Sequence, residues 1–328
     1  NPPALDATDA DFQRITAYGY YTLEPISDLS LTAGVAYDRI VFPRDYRDPP
    51  ITSGEDRRER INPKAALVWS PRKSVTFRGA FAKSLGGVSF DESFRLEPTQ
   101  LAGFDQSFRS VISESVVGSV AAPTYQLGGA AVDLKFPTHT YFGIEAQLLS
   151  SQVRRTIGSF DRPVSPPVNV PSSTPEHLDY DEQSLLATAN QLLAQDWSIG
   201  AQYRFTKSQL HTLFPDIPAS VNPGSDRTER ADLHQVNLYL LFNHPSGFFA
   251  RADTQWYLQR NSGYSPSLPS DDFFQHNLLI GYRLRRHRGE LSFGVLNLTG
   301  RDYRLNPLNL YSELPRDRVF IARLKINL

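Results

Sequence analysis

The stretch VFIARLKINL, Val319 to Leu328, divides by parity. Phe320, Ala322, Leu324, Ile326 and Leu328 fall on one side, and Val319, Ile321, Arg323, Lys325 and Asn327 on the other. Successive side chains of a β-strand point to opposite faces, so the run predicts a strand with one apolar and one charged face. The same division recurs upstream. Trp197, Ile199, Ala201, Tyr203 and Phe205 oppose Ser198, Gly200, Gln202, Arg204 and Thr206. Val236, Leu238, Leu240 and Phe242 oppose Gln235, Asn237, Tyr239 and Leu241. Ala250, Ala252, Thr254, Trp256 and Leu258 oppose Arg251, Asp253, Gln255, Tyr257 and Gln259.

Carried along the chain, this pattern predicts thirteen strands, near 12–23, 29–41, 62–69, 75–83, 125–136, 141–153, 183–193, 197–207, 233–242, 248–259, 273–285, 290–298 and 318–328. The segment 182–194, rich in Leu, Ala and Gln, also fits a helix, because its apolar positions satisfy both periods. The connections alternate strictly. Those at 24–28, 70–74, 137–140, 194–196, 243–247 and 286–289 are short. Those at 42–61, 84–124, 154–182, 208–232, 260–272 and 299–317 are long and polar. A soluble sandwich has no reason to alternate in this way. An outer-membrane barrel has one, with short periplasmic turns and long extracellular loops.

Either face of such strands could be the buried one. A soluble barrel turns its apolar face inward, and a membrane barrel turns it to lipid. The polar parity carries Arg78, Glu145, Arg204, Arg251, Asp253, Arg283, Arg323 and Lys325, which suits a wet lumen. Aromatic residues gather beside the short turns: Trp69, Phe136, Trp197, Phe242, Phe248 and Phe249. That is where an interfacial girdle belongs. The expected fold is therefore an all-β, antiparallel, up-and-down transmembrane β-barrel in a bacterial outer membrane. The competing reading is a soluble all-β binding protein whose aromatics fill a core.

Composition narrows the field further. A net charge of −1 over 328 residues argues against nucleic acid as a partner, which needs a basic excess. The absence of cysteine removes disulfides, zinc–thiolate sites and thiol nucleophiles. Mean hydropathy is −0.37 and no apolar run approaches the ~18 residues of a membrane helix. The absence of methionine means that Asn1 is not a translation start, so the chain is expected to be a processed or cut piece. Strand counting agrees. If the short turns are periplasmic, the first strand already runs inward, and an outward strand is expected upstream or within 106–119.

Two stretches carry a family resemblance. The run LSFGVLNLTGRDYRLNPLNLYSELPRDRVFIARLKINL, Leu291 to Leu328, resembles the end of TonB-dependent outer-membrane receptors. There a strand is followed by Asn-Leu-Thr, an acidic residue and Tyr, an extracellular loop, and an Arg-flanked final strand; here these are Asn297, Leu298, Thr299, Asp302, Tyr303 and Arg318. The segment INPKAALVWSPRKSVTFRGAFAKSL, Ile61 to Leu85, looks like a mid-barrel hairpin of that family, and FRLEP, Phe94 to Pro98, like the loop after it. Together they cover about a fifth of the chain.

The resemblance implies a transport barrel that receives or passes a solute, coupled to energy through a plug and inner-membrane partners. That family's barrel has about 22 strands. With thirteen strands and no plug segment, residues 1–328 are expected to be a single barrel domain cut at its N-terminal side. The partners implied are outer-membrane lipid, lipopolysaccharide, the barrel-assembly machinery and an upstream plug. The machinery would read Phe320, Leu324, Ile326 and Leu328, although the family usually ends in an aromatic residue and this chain ends in Leu328. A related alternative is a smaller export or scaffold barrel appended to tetratricopeptide repeats, which moves polysaccharide or anchors an assembly.

Few residues point to chemistry. None of the seven histidines has the spacing of a metal site, and no metal or cofactor is expected. Asp232 with His234, and Asp272 with His276, imitate catalytic pairs near loop ends, but no Gly-x-Ser-x-Gly elbow accompanies them and no enzyme is expected. The run SGEDRRERIN, Ser53 to Asn62, reads either as a solvated loop or as a contact for lipopolysaccharide phosphate or another anion. Loops 84–124 and 154–182 are the expected extracellular ligand or lid elements. The polar-parity arginines allow two readings: a pathway for an anionic or sugar-like solute, or a salt-bridge network that stiffens the wall.

Overall fold

The computed structural model describes residues 11–44, 54–87, 96–112, 116–161, 169–284, 289–303 and 316–326. Thirteen strands form one antiparallel sheet in sequence order. They are β1 (Gln13–Ile26), β2 (Leu29–Pro43), β3 (Glu55–Arg72), β4 (Val75–Leu85), β7 (Thr124–Lys135), β8 (Thr140–Asp161), β9 (Val170–Leu193), β10 (Trp197–Leu213), β11 (Asp226–Asn243), β12 (Phe248–Ser262), β13 (Asp271–Arg283), β14 (Gly289–Leu296) and β15 (Val319–Ile326). A small hairpin, β5 (Gln100–Leu101) and β6 (Phe104–Asp105), lies within the connection between β4 and β7. Each predicted strand corresponds to one strand of the large sheet. The segment 182–194 is strand and not helix, and no fourteenth strand occurs among the described residues of 106–119. Leu328, Asn327, Arg285, His287, the turn residues 286–288, the prolines of 162–168 and the loop 304–315 lie outside the described residues.

The strands run longer than predicted at the long-loop end. β8 and β9 stay paired out to Asp161 opposite Val170, so most of the expected loop 154–182 is paired strand, and beyond Arg154 and His177 these two strands alone form an arm. Parity fails to reveal the arm because beyond the bilayer the outward face meets water and the buried face mixes polar Thr174, Glu176 and Glu182 with Leu178 and Tyr180. The ladder then needs backbone pairing but no apolar alternation.

Exposure identifies the lipid face. Ile144, Leu148, Ile199, Leu238, Leu278 and Ile280 are exposed, Leu148 by 61%. On the opposite face Asp38, Asn62, Ser84, Ser208 and Gln259 are almost completely buried. A water-soluble fold has the reverse arrangement. On β10 the outward apolar positions run from Trp197 to Phe205 and give way to Lys207, Gln209 and His211. That length matches the ~9–11 residues with which a tilted strand crosses a bilayer.

The buried core lies on the polar face, under the connection between β4 and β7. Phe104, Phe108, Ile112, Val117 and Ala121 of that connection pack on Tyr125, Leu127, Leu149, Val153, Leu178, Tyr180 and Leu210 of the wall. The described part of 84–124, expected as an extracellular ligand or lid element, folds back onto the polar face of the sheet. The β5–β6 hairpin turns through Ala102 and Gly103, both at positive φ, as a two-residue hairpin requires. Gly129 of β7 leaves room for the Phe104 ring, which a Cβ there would strike.

Candidate functional site

The polar face carries three groups of charged side chains, each placed by strand register. The first surrounds Arg78. Its Nε donates to Asp133 at 2.6 Å and its Nη2 to Glu145 at 3.3 Å. Register sets this contact, because Arg78 on β4 faces Ala131 on β7, which faces Glu145 on β8. The third arm of the guanidinium donates to the Ala102 carbonyl at 3.0 Å, and the Phe104 ring lies 5.3 Å from its centre. One arginine thus holds the wall and the folded-in hairpin together.

The second group joins the two stretches on which the hairpin resemblance rested. Lys64 of β3 pairs with Glu97 of the FRLEP run, and both side chains are 1–2% exposed. Tyr20 on β1 donates to the same carboxylate at 2.6 Å, and the Tyr18 hydroxyl donates to the Leu96 carbonyl at 2.9 Å. Farther out on β1–β3, Asp38 accepts from Arg14 at 3.0 Å, Thr16 at 2.7 Å and Asn62 at 2.7 Å.

The third group lies across β8–β10. Arg109, from the folded-in segment, donates to Gln147, which donates to Glu145. Tyr180 donates to Glu182, and the Val111 amide points at both. Arg204 stands among Arg109, Glu145 and Glu182. Among the described residues Arg204 makes no hydrogen bond or ion pair, unlike Arg78, Arg251 and Arg283. Arg251 is paired with Asp253 by two bonds of 2.7 and 2.9 Å. Arg283 bonds Glu290 at 3.1 Å and Asn243 at 2.8 Å. Arg323 and Lys325 of β15 lie opposite Ser292 and Glu290 on the same face. The structure thus gathers Arg78, Glu145 and Arg204 into one cluster and leaves Arg251, Arg283, Arg323 and Lys325 apart from it.

At the short-turn end, Trp69 stacks on Phe77 at 5.4 Å, Phe136 meets Phe142 edge-on at 5.9 Å, and Trp197 lies 4.5 Å from Phe242. Phe249 departs from the expected girdle. It is 6% exposed on the polar face, under the Arg283 guanidinium at 4.3 Å. Phe248, one residue earlier and 41% exposed, occupies the outward position beside Phe242. On β15, Phe320, Leu324 and Ile326 point outward and are exposed. The two imitation pairs do not form. His234 meets Tyr203 at 2.9 Å, His276 meets Thr254 at 3.1 Å, and Asp272 accepts from Trp256 at 2.7 Å. Among the described residues no three His, Asp or Glu side chains gather as metal ligands.

Sequence reasoning missed Lys64, Glu97, Tyr20 and Arg109. Their partners are far apart in sequence and their strands are joined only by folding. One signal was present: Phe104, Phe108, Ile112 and Val117 are too apolar for a solvated loop.

A family model described as TonB dependent receptor-like, beta-barrel, matches residues 1–298. The fold is similar to that of the copper transporter OprC, with a TM-score of 0.58, 14% identity, and coverage of 97% of this chain and 48% of that one. It is similar to the siderophore receptor PirA from Acinetobacter baumannii, with a TM-score of 0.52, 11% identity, and coverage of 89% and 41%. For BauA, the ferric preacinetobactin receptor from Acinetobacter baumannii, the values are 0.52, 9%, 97% and 52%. The chain thus spans about half the length of these structures, and at such identities the likeness concerns the fold alone. No curated protein matches the sequence, and no finding supports the repeat-linked export barrel.

Proposed function

Because this chain belongs to the TonB-dependent receptor family, whose β-barrels reside in the bacterial outer membrane, we propose that its polar face lines a passage or receptor site for an acceptor-rich or anionic solute. The observation that carries this reading is Arg204. It projects onto the polar face beside Arg109 of the folded-in segment and has no bonded carboxylate among the described residues. A guanidinium offers five donors in a planar fork suited to carboxylate or phosphate. Arg78, Arg251 and Arg283 support the stiffening reading instead, since each is bonded to acidic side chains. The two readings of the arginine face therefore divide by residue.

In this reading the folded-in segment narrows the passage and would have to move, or be bypassed, during transport. The outward residues of β15 would be what the barrel-assembly machinery recognises. The test is charge reversal in the whole protein reconstituted in planar bilayers. Arg204→Glu is expected to shift ion selectivity toward cations by several-fold. Arg251→Glu, which breaks a local pair, is expected to shift it less. Unchanged selectivity in both variants would defeat the passage reading.

A further inference from the structure

We propose that a notch in the long-loop rim of the wall is a phosphate-binding site, built by arginines of β3 and β8. The notch arises because β4 ends at Leu85 and β7 begins at Thr124, while β3 continues to Glu55 and β8 to Asp161. The two long arms flank a cleft of about 290 Å³, floored by Leu85, Ala122, Thr124 and Val153. Its sides carry Arg57, Arg58, Arg60 and Arg154 against the single carboxylate of Glu59.

Existing bonds leave much of this donor capacity free. Arg58 donates to the Arg154 carbonyl and so ties the arms together across the notch. Arg154 meets His177 Nδ1 at 2.8 Å. Arg57 pairs with Glu59, which also accepts from Tyr37. Arg60 has no bonded partner among the described residues. Four forks converging on one cleft, with a rigid tie and a dry floor, match the bidentate recognition of phosphate.

Height narrows the source. By parity Arg57 and Arg154 face outward and Arg58 and Arg60 face the polar side, so the notch opens through the wall. Arg57 stands four residues beyond Ile61, and Arg154 six residues beyond Leu148, the side chains that end the continuous outward apolar runs of their strands; Phe160, farther out on β8, is an isolated outward aromatic. That is ~13 and ~20 Å along the strands, or ~10 and ~15 Å above the apolar band at the usual tilt. A phospholipid headgroup region spans only ~5–8 Å per leaflet. The arginines therefore meet a phosphate carried above the lipid, either on the sugars of an outer-leaflet glycolipid or on a soluble anion.

The experiment uses the whole protein purified in detergent. The probes are rough-form lipopolysaccharide with a phosphorylated core, the same material dephosphorylated, and inorganic pyrophosphate. Native mass spectrometry reads binding. The wild type is expected to retain the phosphorylated form at least ten-fold better than the dephosphorylated form, and Arg60→Gln/Arg154→Gln to abolish that preference. Arg60→Lys/Arg154→Lys should keep part of it. Equal retention of both lipid forms, with pyrophosphate bound in an Arg60- and Arg154-dependent way, would support the site with a soluble source. Two results would overturn the proposal. One is a glutamine variant, shown to be folded by its mobility shift on heating, that keeps the full preference. The other is a wild type that discriminates phosphate in none of the probes.

Discussion

At the residue scale the most constrained charge is the Lys64–Glu97 pair, nearly dry on both sides. Burying two charges gives little net stability when the pair is complete, but removing one partner leaves the other uncompensated at a cost of about 3–5 kcal/mol. Lys64→Ala is therefore expected to release the folded-in segment without unfolding the sheet. Limited proteolysis should then cut between 96 and 112, where the wild type resists. Lys64→Met with Glu97→Gln should restore much of the protection, because no buried carboxylate remains unpaired. Equal protection in wild type and Lys64→Ala would show that the pair does not hold the segment. Parity made Arg78 and Glu145 legible, since each needs only its own strand to be placed. It could not show Glu97, whose partners Lys64 and Tyr20 stand on β3 and β1, far from it in sequence. Phe249 shows the limit of resolution, because a one-residue ambiguity at a strand start exchanges the lipid face for the other.

At the element scale, the two faces of one strand make opposite predictions at adjacent positions. Ala201 lies midway along the outward apolar run of β10, and Gln202 is turned to the polar face. Arginine near the bilayer midplane costs about 2–4 kcal/mol on the lipid face, whereas polar-face substitutions are tolerated. Ala201→Arg should lower the heat-modifiable folded fraction in outer membranes sharply, and Gln202→Arg should leave it close to wild type. Similar losses in both would argue against the assigned faces. The folded-in segment has its own test in Phe104→Ala, which removes a ring packed over Gly129 and beside Arg78. Such truncations cost about 3–5 kcal/mol, enough to expose the segment to protease while the strands persist. The bilayer crossings were legible because lipid enforces alternation on one face. The outer reaches of β8 and β9 were not, because above the lipid the outward face is polar and the buried face itself carries Thr174, Glu176 and Glu182.

At the scale of the molecule, exposed apolar bands and buried polar groups make an object that is stable only with lipid or detergent around it. The protein is expected to sediment with outer membranes and to migrate faster unheated than boiled in SDS gels. Recovery as a monodisperse monomer without detergent would contradict the fold. Overall topology was readable from connection lengths, because short turns and long arms record the two sides of a membrane. What the charged face does was not, because residues that stiffen a wall and residues that meet a solute share the same parity.

The paired arm of β8 and β9 has a consequence for how a cell presents this protein to its surroundings. From Leu148 to Asp161 the ladder continues for thirteen residues, ~43 Å along the strand. Only the outer part, 155–161 opposite 170–176, has no third strand beside it, so about 23 Å of it forms a stiff two-stranded rib rather than a tether. Its tip should clear the sugar layer that shields the rim, making the arm the part of the protein open to antibodies and phage, while the arginine notch at its base stays screened from both.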